Sequence, residues 1–271
     1  MRNEDLEKKE LFTIFGNPVA HSKSPLMHNY AFKHLGYPGC YGRTLLEEGT
    51  RLRDTFFALG LKGANITVPH KEAAFEACDV LDDFARKVGA VNTVVRKEEK
   101  LYGYNTDAPG FLKAIEPFDA KKVLFLGAGG TARATAVILR DAGYEVTVLN
   151  RSEGRLKRFA QEGFVTAVYD SFHPEGAYDL IVNMTSAGLK DDALPAPQAL
   201  LEAVIPDAKA CVDVIYGKKT PFLRFAEAQG KPTADGLEML LQQGVIAFLH
   251  FTDNRFEHQK VEKIMRKALL L

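Results

Sequence analysis

The segment Asn65-Ile66-Thr67-Val68-Pro69-His70-Lys71 puts a lysine where structure alone has little use for one. Pro69 suits the first position of a helix, because its φ is already fixed and its missing N–H would be unpaired there. Lys71-Glu72-Ala73-Ala74-Phe75-Glu76-Ala77 continues as a strong helix former. Lys71 then falls in the first turn, where the positive end of the helix dipole disfavours a cation and favours release of its proton. A side chain that exchanges a proton readily is a general acid or base. A lone lysine is more often a solvated surface charge, so its neighbours carry the argument.

Those neighbours are polar and regularly spaced. In His21-Ser22-Lys23-Ser24-Pro25, Ser22 and Ser24 lie two apart, so an extended chain turns both hydroxyls to one side. Ser24 can instead cap a helix starting at Pro25. Asn65 and Thr67 are also two apart, at a strand end that leads to Lys71, although either can simply satisfy turn backbone. Asn92 and Thr93 open a further strand, where a buried amide needs a partner. Asp107, after Tyr104-Asn105-Thr106, suits the N-cap of the helix that follows. Two serines, two asparagines, a threonine, a lysine and an aspartate thus sit at strand ends and helix starts, where open α/β sheets bind ligands. That set of donors and acceptors fits a small polyhydroxylated molecule.

A second constellation lies downstream. Gly127-Ala128-Gly129-Gly130-Thr131-Ala132 follows the apolar run Lys122–Leu126 and opens a helical stretch. This is the Gly-x-Gly-x-x-Ala form of the dinucleotide fingerprint in its strand–turn–helix setting. Gly127 permits the tight turn, Gly129 admits a pyrophosphate, and Ala132 keeps helix and strand close. The helix start offers N–H donors to phosphate. The next strand, Glu145–Leu149, ends in Asn150-Arg151-Ser152 with no carboxylate to meet a ribose 2′-hydroxyl. Arg151, with Arg155 one turn on, can meet a 2′-phosphate instead. Unless both are plain surface charges, the cofactor is NADP rather than NAD.

The elements that must position these residues alternate along the chain. Strands are expected at Leu11–Phe15, Cys40–Leu46, Gly63–Thr67, Val91–Arg96 and Leu101–Tyr104, with helices at Pro25–Leu35, Arg51–Ala58 and from Pro69. A second series has strands at Lys122–Leu126, Glu145–Leu149, Val165–Val168, Asp179–Asn183 and Ala210–Val214, with helices at Thr131–Ala142, Glu153–Gln161 and Pro221–Ala228. The last helical stretch, Leu237–Phe251, is apolar enough to pack back onto the first series. Such alternation argues for α/β architecture with mainly parallel sheets.

Composition bounds the rest. The 271 residues carry 35 basic and 35 acidic side chains, a balance that argues against a nucleic-acid or anionic-membrane partner. No apolar run reaches the length of a membrane span, and the charged start Met1–Glu10 is unlike a signal peptide. Cys40, Cys78 and Cys211 are too far apart for zinc spacing or a disulfide framework, so a reduced, cytoplasmic protein without a resident metal is expected.

These motifs, in this order, resemble the shikimate dehydrogenase family. The matching segments are Gly16–Pro25, Asn65–Lys71, Gly89-Ala90-Val91-Asn92-Thr93, Gly103–Asp107, Gly127–Ala132, Asn150-Arg151, Asn183-Met184-Thr185-Ser186 and Ala234-Asp235-Gly236-Leu237. The resemblance implies reversible NADPH-dependent reduction of 3-dehydroshikimate to shikimate, in aromatic amino-acid biosynthesis. Position by position, it implies substrate contacts from Ser22, Ser24, Asn65, Thr67, Lys71, Asn92, Asp107, Tyr216 and Gln243, with Lys71 and Asp107 as the catalytic pair. It implies cofactor contacts from the Gly127–Ala132 loop (Gly127, Ala128, Gly129, Gly130, Thr131, Ala132), from Asn150, Arg151, Ser152 and Arg155, and from Val214 and Gly236 beside the nicotinamide. Val214 stands where the family often has methionine, Gly217-Lys218-Lys219 replaces a more usual proline-containing stretch, and Glu238 stands where glycine is common.

The architecture so implied is two α/β domains flanking a crevice. One is a mixed-sheet substrate domain formed discontinuously by residues 1–106 and 237–271; the other is a Rossmann-like NADP-binding domain over residues 107–236. A monomer or homodimer is expected. Three rivals share some of these features. A dual quinate/shikimate dehydrogenase usually differs at the serine meeting the substrate carboxylate, and both serines are present here. A methylenetetrahydrofolate dehydrogenase would show a folate-binding signature, which is not apparent. A regulatory NADP-binding module would be expected to have lost the lysine or the aspartate.

Overall fold

The computed structural model describes residues 9–271. The chain divides into two compact units, one comprising the chain up to Thr106 together with Leu241–Leu271, the other Asp107–Leu240.

In the first unit, β1 (Glu10–Gly16), α1 (Ser24–Leu35), β2 (Gly39–Leu45), α2 (Leu52–Ala58), β3 (Leu61–Ile66) and α3 (Lys71–Ala77) follow one another. They lead to β4 (Val80–Leu81), α4 (Asp83–Val88), β5 (Thr93–Lys97) and β6 (Lys100–Tyr104). The sheet order is β2-β1-β3-β5-β6-β4. β1 pairs parallel with β2 and β3, whereas β5 runs antiparallel to both β3 and β6, giving a mixed sheet. The β5–β6 hairpin turns at Glu98, which adopts a positive φ of 55°. One face of the sheet is covered by α2 and α3 through Phe15, Leu52, Phe56, Ile66 and Ala74, all buried. The other face meets aromatic side chains from α1 and the chain's C-terminal helices: Phe12, Phe32, Phe248 and Phe251 interlock with ring centroids about 5.0 Å apart. Each such buried ring contributes roughly 1.5–3 kcal/mol.

The second unit comprises α5 (Asp107–Ile115), β7 (Lys122–Leu126), α6 (Gly130–Asp141), β8 (Glu145–Asn150), α7 (Glu153–Gln161), β9 (Val165–Val168), β10 (Leu180–Asn183), α8 (Gln198–Val204), β11 (Ala210–Asp213), α9 (Pro221–Ala228) and β12 (Thr233–Ala234). Its sheet order is β12-β11-β10-β7-β8-β9, parallel throughout. Counted from β7, the order is 3-2-1-4-5-6, the doubly wound dinucleotide topology, with its switch point between β7 and β10. Val123, Leu124, Phe125 and Leu126 are fully buried, as expected of a central parallel strand covered on both faces.

α10 (Leu237–Phe251) crosses from one unit to the other, since the division falls at 240/241, inside the helix. It is not the last helix: α11 (His258–Leu269) follows and packs against α1. Its buried Val261, Met265 and Ala268 recur at helical spacing. That stripe lies among so many charged residues that composition masks it. α4, α8, β4 and β12 are likewise too short to stand out by periodicity. Among the described residues no helix is long and apolar enough to cross a membrane, and no cluster of His, Cys, Asp or Glu is placed to hold a metal.

Candidate functional site

In the first unit four of the expected polar residues, Ser22, Ser24, Asn65 and Asn92, join one hydrogen-bonded chain. α1 begins at Ser24 itself, with Lys23 at the N-cap and no side-chain cap. The expected capping by Ser24 is therefore replaced by a different arrangement. The Ser22 hydroxyl accepts from Ser24 N–H and donates to Ser24 Oγ, each at 3.2 Å. Arg43 donates from both Nε and Nη2 to the Ser22 carbonyl, at 3.1 and 2.6 Å, and holds this loop against β2.

Ser24 also bonds the hydroxyl of Tyr41. Tyr41 Oη–H donates to Asn65 Oδ1 at 2.6 Å, and Asn65 Nδ2 donates to Thr93 Oγ1 at 3.0 Å and to Asn92 O at 3.4 Å. Both amide hydrogens of Asn65 are thus used within the protein, which leaves a carbonyl lone pair as what it can offer a ligand. Asn92 Oδ1 accepts from Thr106 N–H at 2.7 Å, and its Nδ2 donates to Thr106 Oγ1 at 3.0 Å. That is the partner the buried amide required, and it fixes the backbone just before Asp107. Thr67 N–H donates to Phe15 O at 2.8 Å.

Tyr41 and Arg43 complete this network but escape a reading by motif, whereas Thr93 and Thr106 lie inside the matched segments without an expected role of their own. Tyr41 is clamped by α1. Asn29 donates to Tyr41 O and accepts from Tyr41 N–H, both at 2.8 Å, closing the open edge of β2. His28 stacks on the Tyr41 ring with centroids 4.4 Å apart and planes 5° from parallel. Burial pushes the Tyr41 hydroxyl well above its ordinary range, against the pull of its hydrogen bonds to Asn65 and Ser24. Burial likewise pushes His28 down to about 3, and among the described residues neither ring nitrogen has a hydrogen-bond partner.

Lys71 is the first residue of α3 and is partly exposed. Pro69 lies in the turn two residues ahead rather than at the first helical position, so the helix starts later than proline chemistry alone suggests. The Lys71 carbonyl accepts from Val91 N–H at 3.0 Å, tying the lysine's turn to the residue before Asn92. Gln243 is buried on α10 in the same unit. Asp107, the first residue of α5, and Tyr216, in the loop after β11, belong to the second unit.

The second unit presents the glycine loop at its switch point. Gly127 has φ +110°, and a Cβ there would stand 2.6 Å from Thr185 Cγ2, on the loop after β10. Its N–H donates to Leu149 O at 2.7 Å, drawing the loop toward the tip of β8. Gly129 is the N-cap of α6, and a Cβ on Gly129 or Gly130 would meet nothing within 4 Å. The helix N-terminus is therefore bare, with room for a pyrophosphate against its N–H groups. Ala128 and Ala132 are buried, and Thr131 stands in the first turn of α6.

At the tip of β8, Asn150 Nδ2 donates to Ser152 O at 2.9 Å. Arg151 and Arg155 are exposed and form no ion pair among the described residues, leaving two cations available to a phosphate. Arg151 lies near Tyr169, whose hydroxyl burial pushes up to about 12 while the guanidinium pulls it back. Val214 and Gly236 are in backbone contact: a Cβ on Gly236 would collide with the Val214 carbonyl. Beneath them Asp213 accepts from Asn183 Nδ2 at 3.0 Å, from Thr220 Oγ1 at 2.6 Å and from Ile215 N–H at 2.9 Å. Burial raises its carboxyl, and those three bonds oppose the shift. An open glycine turn, free arginines and no carboxylate at the β8 tip fit an NADP molecule.

Residues 14–94 match the family model described as the shikimate dehydrogenase substrate binding domain. Over 264 residues the chain is 42% identical to the shikimate dehydrogenase (NADP(+)) of Helicobacter hepaticus, covering 95% of this chain and 98% of that one. It is 36% identical to the enzyme of the same name from Bacillus cereus, covering 96% and 99%. The crystal structure of Thermus thermophilus shikimate 5-dehydrogenase in complex with NADP(H) and shikimate superposes with a TM-score of 0.83 at 39% identity, over 96% of this chain and 99% of that one. The chain belongs to the shikimate dehydrogenase family.

Proposed function

We propose that the protein catalyses the reversible, NADPH-dependent reduction of 3-dehydroshikimate to shikimate, within aromatic amino-acid biosynthesis. The observation that carries this reading is the near full-length similarity to enzymes named for that reaction and that cofactor. The open glycine turn and the free Arg151 support NADP specifically. Gly127–Ala132 receives the pyrophosphate. Asn150, Arg151, Ser152 and Arg155 receive the 2′-phosphate end, and Val214 and Gly236 border the nicotinamide. When bound, the nicotinamide supplies the hydride that reduces the C3 carbonyl carbon.

The chain's own residues do the rest. Ser22, Ser24, Asn65, Thr67, Asn92, Tyr216 and Gln243 hold the ring by its hydroxyls and carboxylate, so that one carbonyl is presented in one orientation. Lys71 and Asp107 act as a coupled pair that delivers a proton to the oxygen formed at C3, and withdraws it in the reverse direction. The residues up to 106 with 237–271 form the substrate domain in this reading, and residues 107–236 the cofactor domain. Three free cysteines accord with a reducing, cytoplasmic setting. The working form is a monomer or a homodimer, which light scattering distinguishes.

The deciding experiment is a spectrophotometric assay of shikimate and quinate with NADP and NAD in all four combinations. Shikimate with NADP is expected to give the highest kcat/KM. A preference for quinate, or no turnover with any pair, would overturn the assignment.

A further inference from the structure

The residue before the lysine is as closely placed as the lysine itself. His70 is buried, and its Nε2 lies 2.6 Å from the Leu46 carbonyl oxygen. A carbonyl can only accept, so Nε2 carries the hydrogen and donates. The Leu46 N–H donates to Gly16 O at 3.2 Å, which roots the contact in the end of β1. The His70 backbone starts the helix as well: its N–H donates to Thr67 O at 3.0 Å, and its carbonyl accepts from Ala74 N–H at 2.9 Å.

The opposite side of the ring is equally confined. A Cβ on Gly49 would stand 3.1 Å from His70 Nδ1 and 2.6 Å from Ala73 Cβ, so the loop after β2 lies directly against the first turn of α3. Beyond His70, the Lys71 carbonyl accepts from Val91 N–H at 3.0 Å. The turn that presents Lys71 is therefore fastened at two points, to the end of β2 through the imidazole and to the approach of β5 through its own carbonyl. Helix formation alone requires neither.

We propose that His70 is a positioning residue for proton transfer, its hydrogen bond to the Leu46 carbonyl setting the direction in which Lys71 leaves α3. This rests on Lys71 being the proton-transfer lysine. The imidazole does not touch the substrate in this role. It removes a freedom that would otherwise let the start of α3 shift, and small misplacements of a reacting group are expensive in rate.

The test compares His70→Phe, which keeps a ring but no donor, with His70→Gln, whose amide N–H can reach the same carbonyl. His70→Phe is expected to lower kcat roughly tenfold to hundredfold, with KM for NADPH unchanged. Its kcat–pH profile should also shift, because the proton-transfer step is what has been disturbed; loss of folded protein would lower the amplitude without moving the profile. His70→Gln should recover most of the rate. A Lys71→Ala control should lose roughly 10²–10⁴-fold in kcat. Near-normal turnover in that control would remove Lys71 from the chemistry and this inference with it. A slow Lys71→Ala enzyme beside a His70→Phe enzyme of parental rate and profile would overturn the inference alone, as would equally slow Phe and Gln variants. If His70→Phe does not fold, His70→Met decides, since it fills the same space with a flexible apolar chain and no donor. A loss of kcat at constant NADPH KM supports the inference, and parental kcat overturns it.

Discussion

The two proposed binding regions, one in each unit, are built from opposite materials. In the second unit the glycine turn is backbone and empty space: among the described residues Gly129 and Gly130 have no neighbour where a side chain would begin, and the exposed Arg151 and Arg155 form no ion pair. In the first unit the polar residues are already engaged with one another, from Ser22 through Ser24, Tyr41, Asn65 and Thr93 to Asn92 and Thr106. A phosphate-bearing cofactor is met by groups left unsatisfied until it arrives. A small polyhydroxylated ring is met by groups whose orientations are fixed beforehand, so that little entropy is lost on binding. Adding bulk should therefore damage the first kind of site, and removing a partner should damage the second.

The largest effect is expected at Gly129. Its φ of −82° suits any residue and a Cβ meets nothing, so Gly129→Val should fold, its melting temperature lowered only by the few degrees that a poorer N-cap costs. The branched side chain would fill the phosphate space and displace about two charge-assisted hydrogen bonds. KM for NADPH should rise roughly a hundredfold. A large fall in melting temperature, or an unaffected KM, would mean that the turn is structural rather than open for a ligand. At the other end of the cofactor, Arg151→Ala should remove about 2 kcal/mol of discrimination, lowering the ratio of kcat/KM for NADPH over NADH roughly thirtyfold. An unchanged ratio would place the 2′-phosphate away from the β8 tip.

Beneath the first-unit network lies a buried group that pairing does not satisfy. His28 ionises near the ordinary 6.5 in the unfolded chain and near 3 in the folded one. Above pH 6.5 it is neutral in both states and costs nothing. As pH falls below 6.5 the unfolded chain takes up a proton that the folded chain refuses, so stability is lost progressively until about pH 3. Tyr41, stacked on it, stays neutral over this range because burial pushes its hydroxyl upward. The loss should reach about 2 kcal/mol at pH 5. His28→Leu should show a smaller drop in melting temperature between pH 8 and pH 5 than the parent, a comparison that cancels any packing change common to both. Equal drops would show that His28 protonation does not oppose folding.

Legibility from sequence follows the same contrast. The glycine turn could be read directly because its residues are consecutive and each answers a local backbone demand. The parallel order around β7 was implied by the alternation of strands and helices. In the first unit the strand-end residues were readable one at a time, as Ser22, Asn65 or Asn92, but not their mutual bonds. Tyr41 gives no signal, since its partner Asn65 is 24 residues away and nothing in Gly39–Leu45 distinguishes a structural tyrosine from a linking one. Ser24 read equally well as a cap and as a ligand, and only the position of Ser22 Oγ decided which backbone group needed satisfying. α11 was lost because its apolar stripe is three residues among lysines and glutamates.

Tyr41→Phe is the finest test of the contrast, because it deletes one oxygen and keeps the ring that stacks on His28. Asn65 Oδ1 would lose its 2.6 Å donor, and Ser24 would lose its bond to the same hydroxyl. The amide of Asn65 would still be held by Nδ2 through Thr93, so the network should loosen rather than collapse. The expected cost is about 1 kcal/mol, read as a roughly fivefold rise in KM for shikimate with KM for NADPH unchanged. If the two KM values moved together, Tyr41 would serve the fold as a whole. A rise confined to shikimate would show that the prior engagement of Ser24 and Asn65 is what the substrate depends on.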